Sequence, residues 1–198
     1  MKQVPALIAF EGIDGVGKST HLRATNDFLT GLSIPNLATQ ELGGSDIGKK
    51  CRELLMHDID PTEELLAISL ARRWHFRNIV EPAIAEGKIV LIDRFIESTW
   101  AYQVGGHCLQ GELVEFFQHK IWGAREPDFT IYIFGQSHRK TEDRFETAGE
   151  DFYNKVVAQY NCRKQSNWLN INTQNTFEYN QNKIEAFLKQ ALGLNRQQ

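Results

Sequence analysis

The stretch FEGIDGVGKST, residues 10–20, follows a short apolar run and precedes a helical pattern. Four of its residues match the spacing GxxxxGK[ST] without a gap, namely Gly12, Gly17, Lys18 and Ser19. Between a strand and a helix, this motif surrounds phosphate oxygens with backbone N–H groups, and the helix dipole favours the anion. The context disfavours an ordinary glycine-rich turn. The stretch therefore predicts a phosphate-binding loop.

The side chains of this loop have expected roles. Lys18 is expected to bridge the β- and γ-phosphates of a nucleotide, and the Ser19 hydroxyl to join the ligand shell of Mg²⁺. The residues predicted to contact the nucleotide phosphates are Gly12, Gly15, Gly17, Lys18, Ser19 and Thr20.

A second candidate anchor, Asp93-Arg94, ends the apolar run KIVLID at residues 88–93. A carboxylate at the end of a buried strand beside the loop can hold the water shell of the metal, and Arg94 would then point at a second phosphate. An ion pair that caps the strand is the alternative, because charges at strand ends are common on protein surfaces.

The rest of the chain alternates between short apolar runs and helical patterns. The predicted strands are residues 6–10, 36–40, 88–93, 129–134 and 168–172, and the predicted helices are 18–30, 61–86, 110–122, 149–165 and 176–191. Most of the strands lack polar alternation, as expected when both faces are covered. The pattern predicts an α/β fold, a five-stranded parallel sheet flanked by helices, with ligands outside the carboxyl ends of the strands.

The helix predicted at 61–86 has a clear start and end. Asp60 suits the N-cap, Pro61 suits the first helical position, and Glu63 adds negative charge to the first turn. At the other end, the helix is expected to stop on Gly87.

Length and composition favour a single domain over residues 1–198, with 41% hydrophobic residues to form a core. A net charge of −3 gives no general attraction to nucleic acid or to an anionic membrane. Three widely spaced cysteines without a CxxC pair disfavour a disulfide framework or a zinc knuckle. The N-terminal segment is too short for a signal peptide. We therefore expect a cytoplasmic protein.

Six segments occur in an order that resembles the thymidylate kinase family of P-loop nucleoside monophosphate kinases. They are FEGIDGVGKST (10–20), ELGGSDIG (41–48), LLAISLARRWHFRNIVEPAIAEGK (65–88), DRFIESTWAYQ (93–103), PDFTIYI (127–133) and DRFE (143–146). The resemblance implies transfer of the γ-phosphoryl group of ATP to dTMP with Mg²⁺. It also implies a homodimer built on a five-stranded parallel sheet.

The resemblance implies further roles for single residues. Asp14 would contact the acceptor sugar or the waters of the metal, Arg94 would hold the acceptor phosphate, and Arg72 would read a pyrimidine carbonyl. Tyr102 would pack near the sugar and disfavour a 2′-hydroxyl, with Thr99 and Gln103 close to the base and phosphate. Alternatives stay open: Arg72 as a solvated helix arginine, and Tyr102 as an aromatic residue at the core edge.

Four positions depart from the family pattern. The arginine of the TREPGGT element is Gln40, so one positive charge is missing from the predicted substrate site. The Phe that stacks on the base is Ile68, and an aromatic pair adds only about 0.5–1.5 kcal/mol. In addition, Phe134 replaces an Asp, and His107 replaces an Arg after AYQ.

The lid, expected at about residues 135–147, is shorter than the family pattern. Because Gly15 carries no side chain, catalytic arginines are expected from this lid, with Arg139, Lys140 and Arg144 as candidates. An arginine that acts on the transferred group can be worth about 10³–10⁵ in rate. A solvated basic patch is the alternative.

Three other functions stay open at this point. The acceptor could be another deoxypyrimidine monophosphate or a 5-modified one, because the predicted base contacts differ from the family. Deoxynucleoside kinases share the loop and the Asp-Arg element, but ELGGS, AYQ and DRFE favour the monophosphate kinase. A nucleotide-binding protein that has lost catalysis is the third alternative.

Overall fold

The computed structural model describes residues 4–123, 125–137 and 149–194. Its sheet contains β1 (Leu7–Glu11), β2 (Asn36–Gln40), β3 (Ile89–Asp93), β4 (Phe129–Phe134) and β5 (Trp168–Asn172). The strands lie in the order β2-β3-β1-β4-β5, and every neighbouring pair is parallel. The predicted five-stranded parallel sheet is confirmed, and two strands begin one residue later than expected.

The helices flank this sheet. Their bounds are α1 (Lys18–Gly31), α2 (Asp46–Leu54), α3 (Pro61–His75), α4 (Glu81–Ala85), α5 (Ile96–Thr99), α6 (Gly111–Phe116), α7 (Glu150–Arg163) and α8 (Phe177–Ala191). Three of them continue into π-helical turns, at Phe76–Val80, Trp100–Gly106 and Phe117–Trp122. The helix predicted at 61–86 is therefore α3 and α4 joined through a π-helical turn.

The start of α3 forms as its sequence predicts. Asp60 Oδ1 accepts hydrogen bonds from the backbone N of Thr62 at 2.7 Å and of Glu63 at 3.0 Å. In return, Glu63 Oε2 accepts one from the backbone N of Asp60 at 2.8 Å. This reciprocal capping box satisfies backbone donors that the first helical turn leaves free.

Two helical regions were not predicted from the sequence, and both follow strands at the carboxyl edge of the sheet. α2 comes after β2, and its N-cap Ser45 accepts from the backbone N of Gly48 at 2.9 Å. α5 comes after β3 and continues into Trp100–Gly106. Gly43, Gly44 and Gly48 obscure the helical pattern around α2, and α5 is only four residues long before the π-helical turn. These two regions shape the functional site.

The core lies on both faces of the sheet because side chains alternate along each strand. On one face, Leu7, Ala9, Val90 and Ile92 pack with Phe95, Trp100 and Trp122. On the other face, Ile8, Phe10, Ile89 and Leu91 pack with residues of α1 and α8, including Leu22, Leu29, Ile184 and Leu188. Burial of one such aliphatic side chain contributes about 1.5–3 kcal/mol.

The three cysteines of the chain, at positions 51, 108 and 162, are all free. This agrees with the expectation that they form no disulfide framework. Within the described residues, no helix combines the length and the apolar composition needed to span a membrane.

Candidate active site

The loop between β1 and α1 depends on its glycines. Gly12 has a φ of 139°, and a Cβ atom there would lie 2.1 Å from the carbonyl oxygen of Ile133. Gly17, the N-cap of α1, has a φ of 92°. Only glycine adopts such angles without strain, and only glycine lets the loop pass this close to β4. The loop thus reaches α1 with its backbone N–H groups at the helix N-terminus.

Lys18 is buried at the start of α1, and its Nζ donates to the carbonyl oxygen of Ile13 at 2.8 Å. Burial, and then the nearby charge of Arg94, lower the pKa of Lys18 to about 8, while Asp14 and Asp93 act in the opposite direction. The ammonium group is therefore held over the loop, and negative phosphate oxygens would stabilise its charged form.

Ser19 and Asp93 bring two oxygen ligands together. Ser19 Oγ donates to Asp93 Oδ2 at 2.5 Å, which joins α1 to the end of β3. Mg²⁺ prefers oxygen ligands and is often bound through one or two protein groups plus substrate phosphates. This pair therefore fits Mg²⁺, although no group of three or more His, Cys, Asp or Glu suited to a metal occurs in the described part of the chain.

Two adjoining cavities lie at the carboxyl edge of the sheet. The first, called the P-loop cavity, has a volume of about 530 Å³ and is lined by the loop residues 14–20 and by Arg23, Gln40, Glu41, Arg52, Asp93 and Arg94. All of the predicted nucleotide contacts except Gly12 line this cavity, as does the predicted metal ligand Asp93.

The second, called the side cavity, extends from the first toward α2 and α3. Its walls include four aliphatic side chains, Leu42, Leu55, Met56 and Ile68. The predicted acceptor contacts line it as well, namely Asp14, Ile68, Arg72, Arg94, Thr99, Tyr102 and Gln103. Gln40 was also predicted to contact the acceptor, but it lines only the P-loop cavity and not the side cavity.

Asp14 and Arg94 lie where the two cavities meet. Arg94 Nη2 donates to Asp14 Oδ1 at 2.6 Å, and Tyr102 OH donates to Asp14 Oδ2 at 3.3 Å. Burial alone would raise the pKa of Asp14, but Arg94 and Lys18 outweigh it and lower that pKa to about 2. Burial raises the pKa of Tyr102 to about 12. At neutral pH the carboxylate is therefore charged and the phenol is a hydrogen-bond donor.

Arg72 is buried in the side cavity beside Glu41. Its Nε lies 2.8 Å from Glu41 Oε2, and its Nη2 donates to the carbonyl oxygen of Phe95 at 2.9 Å. Nη1 is also buried and has no hydrogen-bond partner among the described residues. The neighbouring Arg73 is exposed and donates to the carbonyl oxygen of Ile121. Arg72 is thus not a solvated helix arginine.

Gln103 faces the same cavity from the π-helical turn after α5. Its Nε2 donates to Glu64 Oε2 at 3.2 Å, and its Oε1 is buried without a partner among the described residues. The hydrogen bond to Glu64 fixes the orientation of the amide, so that Oε1 acts as an acceptor. Thr99, one turn earlier, is buried at the cavity wall.

Three residues at or next to these cavities were missed by the sequence reasoning. Glu11, fully buried at the end of β1, accepts from the backbone N of Phe95 at 2.9 Å and from Ser98 Oγ at 2.6 Å, which fixes the start of α5. A carboxylate that ends a buried strand was the available signal for Glu11. Arg23 and Arg52 line the P-loop cavity, and no sequence signal separates them from other exposed arginines.

Most of the predicted lid lies outside the residues that the structure describes. Residues 135–137 are described, whereas Arg139, Lys140 and Arg144 lie outside the described residues. Their predicted role in catalysis stays a prediction.

A phosphate-binding loop on a sheet of this strand order, with a second cavity across the same edge, defines a P-loop nucleoside monophosphate kinase. The comparisons with known proteins are more specific. The family model described as Thymidylate kinase matches residues 10–184, and the chain belongs to this family.

Individual relatives agree with this assignment. The chain is 37% identical to the thymidylate kinase of Paraburkholderia xenovorans over 169 residues, which cover 77% of this chain and 81% of the relative. It is 38% identical to that of Neorickettsia sennetsu over 156 residues, covering 77% and 78%. The crystal structure of thymidylate kinase from Ehrlichia chaffeensis superposes with a TM-score of 0.78 at 27% identity, covering 93% of this chain and 98% of that one.

Proposed function

We propose that this protein transfers the γ-phosphoryl group of ATP to dTMP, which yields ADP and dTDP. The observation that carries the proposal is the meeting of two cavities at Asp14 and Arg94. One cavity contains a phosphate-binding loop, and the other contains buried polar atoms that have no partner among the described residues. The relatives named thymidylate kinase support the same activity.

The donor phosphates bind in the P-loop cavity. Backbone N–H groups at the start of α1 surround the phosphate oxygens, and Lys18 donates to them once its hydrogen bond to Ile13 opens. Ser19 and Asp93 would hold Mg²⁺, which would neutralise charge on the phosphates when it is bound. Because phosphoryl transfer needs little covalent help, these groups act by positioning and by charge stabilisation.

The acceptor phosphate binds where the cavities meet. Arg94 and Arg52, which is near the end of α2, both line the two cavities at this junction. The bond from Arg94 to Asp14, at 2.6 Å, orients the guanidinium group. A monophosphate is already ionised near neutral pH, so the reaction needs no general base. This agrees with the charged state of Asp14, which makes it a poor proton acceptor.

The base binds in the side cavity against Ile68. Arg72 Nη1 offers a donor, and Gln103 Oε1 offers an acceptor. Thymine matches this pair, because its O4 accepts a hydrogen bond and its N3–H donates one. Cytosine presents an amino donor and a ring acceptor at the same positions, so both contacts would become unfavourable. An unpaired buried polar group costs about 1–3 kcal/mol, which accounts for discrimination between these bases.

The test is an assay of ADP release with purified enzyme, ATP and Mg²⁺. The acceptors are dTMP, dUMP, two 5-alkyl dUMP analogues, dCMP, dGMP and thymidine. We expect the highest kcat/KM with dTMP and none with thymidine, and Lys18→Ala should abolish turnover without unfolding the protein. A preference for thymidine would instead indicate a nucleoside kinase, and no turnover with any acceptor would indicate a non-catalytic nucleotide-binding protein.

We also propose that two copies of the chain associate, as the family resemblance implies, and that the exposed side of α3 forms the contact. Leu66, Leu70 and Trp74 are spaced four residues apart on one exposed side of this helix, and Leu70 is 59% exposed. Exposed apolar side chains that form a stripe are typical of protein interfaces. Light scattering after size exclusion should give a dimer for the wild type and a monomer for Leu70→Glu. The matched control, Leu32→Glu at the end of α1, should stay dimeric.

A further inference from the structure

Two arginines line the P-loop cavity, and their side chains form no ion pair or hydrogen bond with any residue that the structure describes. They are Arg23 on α1 and Arg52 on α2. The other cations of this cavity have such contacts, because Arg94 pairs with Asp14 and Lys18 donates to Ile13. A guanidinium group at the wall of a phosphate-binding cavity favours an anionic ligand.

The two arginines occupy different places. Arg52 lines both cavities and lies at their junction, whereas Arg23 lines only the P-loop cavity. Arg23 follows Ser19 by one helical turn, so both residues lie on the same side of α1. Helical side chains lean toward the N-terminus of their helix. This tendency agrees with the place of Arg23 at the wall of the P-loop cavity, together with the loop residues 14–20.

One position at the wall of the P-loop cavity, residue 40, lacks the positive charge that the family resemblance leads one to expect there. Gln40, at the end of β2, is neutral and faces the same cavity as Arg23. Gly15 also lines it and has no side chain. Three carboxylates border the cavity, at Asp14, Glu41 and Asp93, and their charge adds to that of the bound phosphates. Arg94 pairs with Asp14, and Arg72 pairs with Glu41. Arg23 and Arg52 pair with none of these carboxylates, so their charge is left for an anionic ligand of this cavity.

We propose that Arg23 contacts the phosphates in the P-loop cavity and supplies the positive charge that Gln40 does not. The inference rests on the proposed kinase function of this cavity. It assigns a substrate contact to a residue outside the phosphate-binding motif. Because Arg23 is exposed and has no partner among the described residues, its removal leaves no buried group unpaired, and the fold should not change.

The first experiment compares Arg23→Ala, Arg23→Gln and Arg23→Lys in the ADP-release assay. We expect kcat/KM to fall about 10- to 100-fold for Ala and Gln, the loss of one charged hydrogen bond, and to fall less for Lys. The control is Lys50→Ala, which removes an exposed positive charge of α2 that lines neither cavity. It should keep wild-type kinetics. Unchanged kinetics in Arg23→Ala would overturn the inference.

The second experiment tests whether a positive charge at position 40 can replace the charge of Arg23. Gln40→Arg is introduced into Arg23→Ala, and the double variant should recover at least a tenth of the activity that was lost. No recovery, with both variants folded and Gln40→Arg active by itself, would show that Arg23 does not act by the proposed charge.

The proposed function can fail separately. If wild type releases no ADP with any acceptor, the kinase proposal fails, and binding becomes the readout. Titration calorimetry with a non-hydrolysable ATP analogue should then still show weaker binding to Arg23→Ala than to Lys50→Ala. Equal binding to these two variants would overturn the assignment of Arg23 as a phosphate contact.

Discussion

Ser19 Oγ and Asp93 Oδ2 lie 2.5 Å apart, which joins the first turn of the phosphate-binding helix to the last residue of the inner strand β3. The contact links residues 74 positions apart in the chain. It places a hydroxyl and a carboxylate where they can share one hard cation.

The first prediction concerns this pair. Asp93→Ala should raise the Mg²⁺ concentration needed for half-maximal turnover about 10- to 100-fold, because one oxygen ligand or its water contact is lost. ATP binding without Mg²⁺ should change much less. The measurement is ADP release over a Mg²⁺ titration, with the exposed Asp27→Ala of α1 as control. Equal Mg²⁺ dependence of both variants would contradict the metal assignment.

The second prediction concerns the pH dependence of ATP binding. The pKa of Lys18 in the free protein is about 8, chiefly because the side chain is buried and then because Arg94 is near. Phosphates favour its charged form, so binding should take up a proton above pH 8, and the Kd should rise toward about tenfold per pH unit. Calorimetry at pH 8.5 in buffers of different ionisation enthalpy measures this uptake. Persistence of the uptake in Lys18→Ala would assign it to another group.

The third prediction separates two adjacent arginines. Arg72→Ala should raise the KM for dTMP and, because it leaves Glu41 buried without its cation, destabilise the protein by about 3–5 kcal/mol. Arg73→Ala removes only an exposed contact to Ile121 and should leave the KM for dTMP near the wild-type value. Urea unfolding and acceptor kinetics of both variants check this. Similar kinetics for the two would remove Arg72 from the base site.

The fourth prediction concerns His75, which is buried and shares a hydrogen bond with Thr39 Oγ1 at 2.8 Å. Burial and the charge of Arg72 lower its pKa from 6.5 to about 4. Between pH 4 and pH 6.5, His75 binds a proton in the unfolded chain but not in the folded chain. The free energy of unfolding should therefore fall as the pH falls from 6.5 to 4, by up to about 1.4 kcal/mol per pH unit.

His75→Gln provides the comparison for this effect, because it cannot titrate and can still hydrogen-bond to Thr39. Urea unfolding at pH 5 and pH 7 should show a smaller difference for this variant than for the wild type. The same difference in both proteins would mean that other groups cause the acid sensitivity.

The fifth prediction concerns the lid. At least one of Arg139 and Arg144 should reach the transferred phosphoryl group, because neither Gly15 nor Gln40 carries a charge. Its Ala variant should lose kcat and kcat/KM together, the pattern for a contact made only in the transition state, whereas a solvated arginine should change neither. Full turnover in the double variant would show that the charge comes from elsewhere.

Much of the fold could be predicted because its signals are local. The sequence signature of the phosphate-binding loop lies within eleven contiguous residues, 10–20, and its glycine spacing has few other structural explanations. Continuous apolar runs indicated the strands, since β1 and β3 lie in the middle of the sheet and are buried along their whole length. The capping box at Asp60 also involves only neighbouring residues. Each of these features is read within one short window of sequence.

The candidate site was only partly accessible from the sequence, because its contacts join distant positions. Arg72 meets Glu41 across 31 residues, and Arg94 meets Asp14 across 80. Arg72 and Arg73 are the same residue type, and only the packing of α3 buries the first and exposes the second. Arg23 likewise looks like any exposed arginine until the fold places it at the wall of the P-loop cavity. The charge around a ligand depends on distances through space, and these are decided by how helices pack on the sheet.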